Sequence, residues 1–262
     1  MGMEVLVATM HQKDFSKIKE MNIQSDVIFA NQSDFHGYEE QVFNGNTARM
    51  ISTDQRGVGR NRNLALLYAK EEILLFSDDD MEYADGYSER VLKAFEEIPQ
   101  ADVIIFECDL KRGGKVYFQI RHKTGKLPHW KSWKYGTYVI AARKSSLEKK
   151  NIQFHMQFGG GCKYSSGEDS LFLNDCYKKG LKVYTYSFVL GCCKKDSSTW
   201  FEGYTEKYFL DKGVWLACAM PKLCRAMAAV CAVKWRSLNK EMGLFKIYKL
   251  MNKGITQFKK DR

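Results

Sequence analysis

Three consecutive carboxylates, Asp78-Asp79-Asp80, close the apolar run Ile73-Leu74-Leu75-Phe76. A run of that kind reads as a buried strand of a parallel sheet, and its carboxyl end is the edge at which open α/β sheets bind ligands. Carboxylates crowded there raise one another's pKa unless a cation offsets their charge. The economical cation is Mg2+ or Mn2+, a hard ion that takes oxygen ligands and shares them with substrate phosphates. Asp78 and Asp80, two residues apart, share one face of an extended segment. The opposing reading is a solvated acidic turn, and the surrounding elements decide between the two.

Those elements alternate. Glu4–Ala8 reads as a strand, Asp14–Met21 as a short helix, Asp26–Ala30 as a second strand and Arg49–Ser52 as a short third. Gly59–Lys70 reads as a helix whose Leu64, Leu67 and Tyr68, three and four apart, supply an apolar face. After the aspartates come a helix over Tyr87–Ile98, ended by Pro99, and a buried strand, Asp102–Cys108. This β-α-β order predicts an α/β fold with a doubly wound, mostly parallel sheet. Gly113-Gly114 then turns a hairpin between Cys108–Lys111 and Lys115–Ile120. Gly136–Ala142 reads as a further strand, Phe158–Lys163 as a flexible glycine loop, and Asp169–Lys179 as a helix ended by Gly180 at its C′ position. From Gly203 onward the chain reads as helical.

The 262 residues are 45% hydrophobic and 13% aromatic, the composition of a chain with a real core. Eight cysteines are scattered without a C-x-x-C pair, which argues against zinc. No signal-peptide pattern stands before Glu4–Ala8, so reduced thiols in a cytosolic chain are expected. The net charge of +10 is uneven: from Gly213 to Arg262 eleven Lys and Arg face only Glu241 and Asp261. That asymmetry points to an acidic partner surface at the carboxyl end. Gly213–Val233 is apolar but carries Pro221, Lys222 and Arg225, so it fails as a spanning helix. It suits a helix lying in a membrane interface or an ordinary packed pair with a basic outer face. The histidines, His11, His36, His122, His129 and His155, read as surface or internally bonded residues.

Taken in order, Leu6-Val7-Ala8-Thr9, Ala30-Asn31-Gln32-Ser33, Arg60-Asn61-Arg62-Asn63-Leu64-Ala65, Ser77-Asp78-Asp79-Asp80 and Gly167-Glu168-Asp169 make residues 3–200 resemble family 2 glycosyltransferases. The resemblance implies the GT-A fold over residues 1–200, with residues 201–262 as a helical basic extension. It implies an inverting transfer from a UDP-sugar to a saccharide acceptor. On it, Asp80 is the direct ligand of Mn2+ or Mg2+, Asp78 lies nearer the ribose, and Asp79 can replace either. Thr9 and Asn31 line the uracil pocket, and Arg60, Arg62 or Asn63 face the nucleotide or brace the aspartates. Asp169 is the general base, with Glu168 the runner-up; the acceptor hydroxyl needs such a base near pH 7. A plain N-cap is the competing role for Asp169. Gly160 and Gly161 bring backbone to the acceptor, and Trp130 and Trp133 are candidates to stack on its sugar.

Two departures stand out. Asn31-Gln32 occupies the place of an acidic pair, and no histidine follows His155 to complete a metal site; Lys194, Lys195 or Asp196 is available there instead. A nucleotidyltransferase needs a glycine-rich phosphate loop after strand one, which Thr9-Met10-His11-Gln12-Lys13 lacks. A nucleic-acid module would leave the Asp triplet without purpose, so nucleic acid is not an expected partner. The expected setting is the inner face of the cell membrane, held peripherally by the basic end, with a lipid-linked saccharide acceptor in capsule or O-antigen-type polysaccharide assembly.

Overall fold

A computed structural model describes residues 1–194, 203–239 and 241–260. The chain divides into two compact units, Met1–Met156 with Glu168–Ser198, and Gln157–Gly167 with Thr199–Arg262.

The first unit is built on one sheet. Its elements run β1 (Met3–Met10), α1 (Lys17–Glu20), β2 (Asp26–Gln32), β3 (Gly37–Phe43), β4 (Asn46–Thr53), α2 (Val58–Tyr68), β5 (Ile73–Asp78), β6 (Met81–Tyr83), α3 (Tyr87–Glu97), β7 (Val103–Arg112), β8 (Lys115–Ile120), β9 (Gly125–Lys126), β10 (Ile140–Arg143), α4 (Lys144–Lys149), α5 (Glu168–Lys178) and β11 (Val183–Lys194). The sheet order is β3-β4-β2-β1-β5-β10-β7-β11-β6, with β8 on β7 and β9 on β11. Strands β4, β2, β1 and β5 run parallel, as do β7 and β11. β10 lies antiparallel between β5 and β7. The apolar runs of β1, β2, β5 and β7 are buried on both faces, as parallel strands under helices must be. Parallel register places Thr9 opposite Asn31 and Ala8 opposite Asp78, so three strands deliver polar residues to one carboxyl edge.

Several local expectations change. On α2, Leu64 packs on the core, but Leu67 and Tyr68 face outward, 78% and 40% exposed. The buried face carries Asn61, Arg62 and Ala65 instead. The reason is polar: Asn61 Nδ2 donates to the carbonyls of Thr9 and Ala30 at 3.1 and 2.7 Å, and Arg62 meets the strand-end carboxylates. β3 was not expected, because its Tyr38-Glu39-Glu40-Gln41 stretch is exposed on both faces, as a charged edge strand is. Only the second half of Gly136–Ala142 is strand; Thr137–Val139 forms a single 3-10 turn before β10. The Gly113-Gly114 hairpin and the Gly180 cap, at a φ of 81°, stand as read.

In the second unit, the glycine segment expected to be a flexible loop is a closed turn. Gly159 N donates to Tyr164 O and Tyr164 N to Gln157 O, both at 2.9 Å, and Cys162 N donates to Gly159 O at 3.1 Å. Helices α6 (Glu206–Ala219), α7 (Cys224–Trp235) and α8 (Leu244–Lys260) follow, the break after α6 coinciding with Pro221. Among the described residues no helix is long and apolar enough to cross a membrane. α6 and α8 cross at glycines. A Cβ on Gly213 would sit 2.0 Å from Met251 O, and one on Gly254 would sit 2.1 Å from Leu210 O. Both clashes are with backbone, so neither can be relieved by a rotamer change. Gly254→Ala is expected to destabilise this unit by about 1–3 kcal/mol, read as faster amide exchange in α6 and α8. Gly243→Ala, which meets open space, should leave exchange unchanged; equal effects would refute the close crossing.

Candidate active site

The site begins where β1 and β5 end. Thr9, buried at the end of β1, donates its hydroxyl to Asp79 Oδ2 at 2.5 Å. Asp78 Oδ1 accepts from Arg62 Nη2 at 2.7 Å. Asp80 leaves in a third direction: Cys193 Sγ is 2.9 Å from its Oδ1, and Lys194 N donates to its carbonyl at 2.9 Å. The three adjacent aspartates are therefore held by α2, β1 and β11, one each.

Arg62 joins this edge to the start of α5. Its Nη1 lies 3.2 Å from Glu168 Oε1 and 3.0 Å from Asp169 Oδ1, and its side chain is 4% exposed. Asp169 Oδ1 also accepts from the hydroxyl of Thr137, in the 3-10 turn before β10. One guanidinium thus holds three carboxylates that are 16 to 107 residues away in sequence. Burial works against the charge on Arg62, but Asp169, Asp78 and Glu168 more than restore it, so the group stays cationic. The carboxylates feel the converse. Burial first, then the charge of Glu168, pushes Asp169 up to about 7, although Arg62 and Thr137 pull the other way. Burial likewise raises Asp79, and Asp78 and Asp80 add to the shift against Thr9 and Lys17. An aspartate half-buried at a helix start and titrating near neutrality has the property a general base needs.

Of the residues singled out in the sequence, Thr9, Arg62, Asp78, Asp79, Asp80, Glu168 and Asp169 fall into this constellation. Others are engaged differently. Asn31 is buried, with its amide bonded to Gln12 N and O and to Ser52 Oγ, each at 3.0 Å. Asn63 makes a two-way bond with the backbone of Phe154, at 2.9 and 2.7 Å. Arg60 is exposed and reaches the carbonyl of Arg56, one turn back on its own helix. Trp130 is 75% exposed and Trp133 partly buried, on a 3-10 turn (His129–Lys134) that stacks His129 on Tyr177 of α5. His129 also bonds Asn174, which stands about 7 Å along the α5 axis from Asp169. Gly160 and Gly161 belong to the closed turn of the second unit. Lys194 is brought to Asp80 and pairs with Glu82, whereas Lys195 and Asp196 lie outside the described residues. Two participants carried no signal in the sequence, Thr137 and Cys193, each drawn in only by strand pairing; Asn61 stood inside a quoted motif but was given no role of its own.

The donor set suits a hard divalent cation in chemistry and in charge. Asp78, Asp79 and Asp80 supply the carboxylate oxygens that Mg2+ and Mn2+ prefer, while Arg62 holds Asp78 together with Glu168 and Asp169. Among the described residues no three His, Cys, Asp or Glu side chains converge as a complete site. A cation here would take further oxygens from a bound phosphate.

The site is thus a mixed α/β sheet with acidic side chains at the carboxyl edge of a strand, joined through Arg62 to an acidic helix start. Residues 36–162 match the model of the family described as Glycosyl transferase family 2. That stretch is a little under half of the chain, and over it the chain is similar to family 2 glycosyltransferases. Its fold is shared with a crystal structure of S. aureus TarS 1-349 in complex with UDP-GlcNAc, at 12% identity over 100% of this chain and 93% of that one, TM-score 0.65. S. aureus TarS 1-349 in complex with UDP matches at 13% identity, 100% and 92% coverage and TM-score 0.62. A longer S. aureus TarS structure matches at 16% identity, 92% of this chain and 45% of that one, TM-score 0.61. No curated protein matches the sequence significantly.

The upward shift of Asp169 carries a stability consequence. Its folded-state pKa lies above the ordinary 3.8, so the fold favours its proton and loses stability as pH rises from about 4 through about 7. Asp169→Asn removes that cost. Its Tm relative to wild type should be higher by a few °C at about pH 8 than at about pH 5. A difference independent of pH, by scanning calorimetry, would contradict the shift.

Proposed function

We propose that this glycosyltransferase moves a sugar from a UDP-sugar to a saccharide acceptor with inversion at the anomeric carbon. The observation that carries the reading is the single guanidinium of Arg62 holding both Asp78, at the strand end, and Asp169, at the start of α5. It sets a donor-side carboxylate and a base-side carboxylate within one side chain of each other. Both solved TarS complexes, which hold UDP or UDP-GlcNAc, support the donor class through the shared fold.

In this reading Thr9 and Asn31 shape the base-binding edge, with Asn31 acting through the Gln12 loop it fixes. Asp80 and Asp78 would hold Mn2+ or Mg2+, which would supply positive charge to the leaving diphosphate. Asp169 takes the proton of the acceptor hydroxyl, its basicity raised by burial and by Glu168. Attack from the side opposite the diphosphate inverts the anomeric centre. Arg62 prevents the acidic groups from driving one another apart before substrate arrives.

The acceptor in this reading is lipid-linked, in capsule or O-antigen-type polysaccharide assembly, and the chain works peripherally at the inner face of the membrane. Support comes from the second unit. One face of α8 presents Lys246, Lys249, Lys253 and Lys260 around a groove of about 730 Å³. Leu223, just before α7, and Val230 and Val233 on it are exposed on a segment that also carries Arg225 and Lys234, and Cys224–Trp235 contains no acidic residue. Apolar side chains framed only by cations suit an anionic headgroup layer.

Three outcomes are expected. Asp169→Asn should bind UDP within about threefold of wild type yet lose at least about 10²-fold in UDP release to acceptor; wild-type turnover would remove Asp169 as the base. Asp80→Asn should abolish the Mn2+ dependence of UDP affinity, and an unchanged dependence would remove its metal role. Lys249→Gln and Lys253→Gln should each weaken co-sedimentation with anionic vesicles about fivefold, in a salt-sensitive way. Equal binding to neutral phosphatidylcholine vesicles would overturn the membrane reading.

A further inference from the structure

Thr137 lies in a stretch without any motif, yet it reaches the centre of the site for a topological reason. β10 runs antiparallel to β5, with Ala141 opposite Leu75 and Arg143 opposite Ile73. Residues preceding β10 therefore return toward the carboxyl edge of β5, where Asp78 stands. Val139 and Ile140 are fully buried, which anchors the 3-10 turn that carries Thr137 to a central strand of the sheet. Thr137 itself is 1% exposed, so it cannot touch a sugar acceptor. Its hydroxyl faces a carboxylate, which only accepts, so the hydroxyl must donate.

Both donors that reach Asp169 choose the same atom. Oδ1 accepts Thr137 Oγ1 and, at 3.0 Å, Arg62 Nη1. They arrive from different elements, the turn before β10 and α2. The carboxyl torsion of aspartate is broad and roughly two-fold, so a single donor leaves the group free to swing. Two donors on one oxygen fix the plane and leave Oδ2 as the oxygen facing away from the arginine network. The Asp169 side chain is 29% exposed, so Thr137 and Arg62 do not close it off from solvent.

We infer that Thr137 is a positioning residue: it pins Oδ1 of Asp169 so that Oδ2 is presented to the acceptor hydroxyl. This rests on Asp169 being the base. The step is a simple proton transfer: Oδ2 takes the hydroxyl proton as the acceptor oxygen bonds to the anomeric carbon, and the bond to the diphosphate oxygen breaks with its electron pair. The charged groups facing Asp169 are Arg62, Glu168 and Asp78; Thr137 adds a neutral donor that favours the carboxylate form. Removing that donor raises the proton affinity of Asp169.

The test is steady-state kinetics of the full chain with a UDP-sugar and Mn2+, on Thr137→Val, Thr137→Ser and Asp169→Asn. Thr137→Val should lower kcat about 10- to 100-fold with donor KM within about twofold. It should also move the acidic limb of the kcat profile to higher pH, and Thr137→Ser should restore rate and limb. Thr137→Ala is read in the same way if the valine variant fails to fold. Wild-type kcat with an unmoved limb, or a serine variant as slow as the valine one, would overturn the inference. Wild-type turnover by Asp169→Asn would instead overturn the base assignment on which it rests, and the two failures are separable in one experiment.

Discussion

A buried guanidinium surrounded by carboxylates is the interaction on which the first unit's chemistry depends. Arg62 is almost entirely removed from water, yet it remains charged because Asp169, Asp78 and Glu168 surround it. Breaking such a cluster on one side leaves uncompensated buried charge, a cost typically of about 3–5 kcal/mol. The planar fork of arginine can hold a carboxylate on each edge at once, which a lysine cannot. Each partner comes from a different part of the chain: α2 brings the arginine, β5 brings Asp78 and α5 brings the acidic pair. The charge cluster and the fold therefore require each other.

The remaining bonds at this edge place the arginine and the carboxylates it holds. Asn61, one residue before Arg62, caps the carbonyls of β1 and β2 and locks α2 over the strand ends. Asn63, one residue after, ties α2 to the backbone of Phe154. Gly59 leaves no room for a side chain, since a Cβ there would lie 2.5 Å from His155 O. A helix so constrained on three sides aims its arginine with little freedom. The carboxylates carry the surplus charge, and burial with the charge of Glu168 raises the proton affinity of Asp169 at a cost in stability above its ordinary pKa.

Much of this was legible in the residues, and what was not had physical reasons. The apolar run before Asp78 and the Gly180 cap could be read because buried strands and helix ends carry local signatures. So could the Gly113-Gly114 turn. Asn44-Gly45, the tight turn between β3 and β4, carried the same kind of signature, but β3 shows no alternation to accompany it. The face of α2 was misjudged because leucine spacing counts only side chains; the strand-end carbonyls and carboxylates that outweigh it come from elsewhere in the chain. Thr137 was invisible for a similar reason: only the antiparallel placement of β10 brings it beside Asp169. What the amides of Asn31 and Asn63 bond, Gln12 and Ser52 for the one and the backbone of Phe154 for the other, is set by packing and has no local signature.

The family-model match and the strand-end carboxylates together make nucleotide binding the central claim. Calorimetric titration of UDP, with GDP, CDP and TDP beside it, with and without Mn2+, tests it most directly. Binding of UDP that requires the cation is the predicted result. Failure of all four nucleotides to bind under either condition would contradict the account and return the three aspartates to the status of a charged turn.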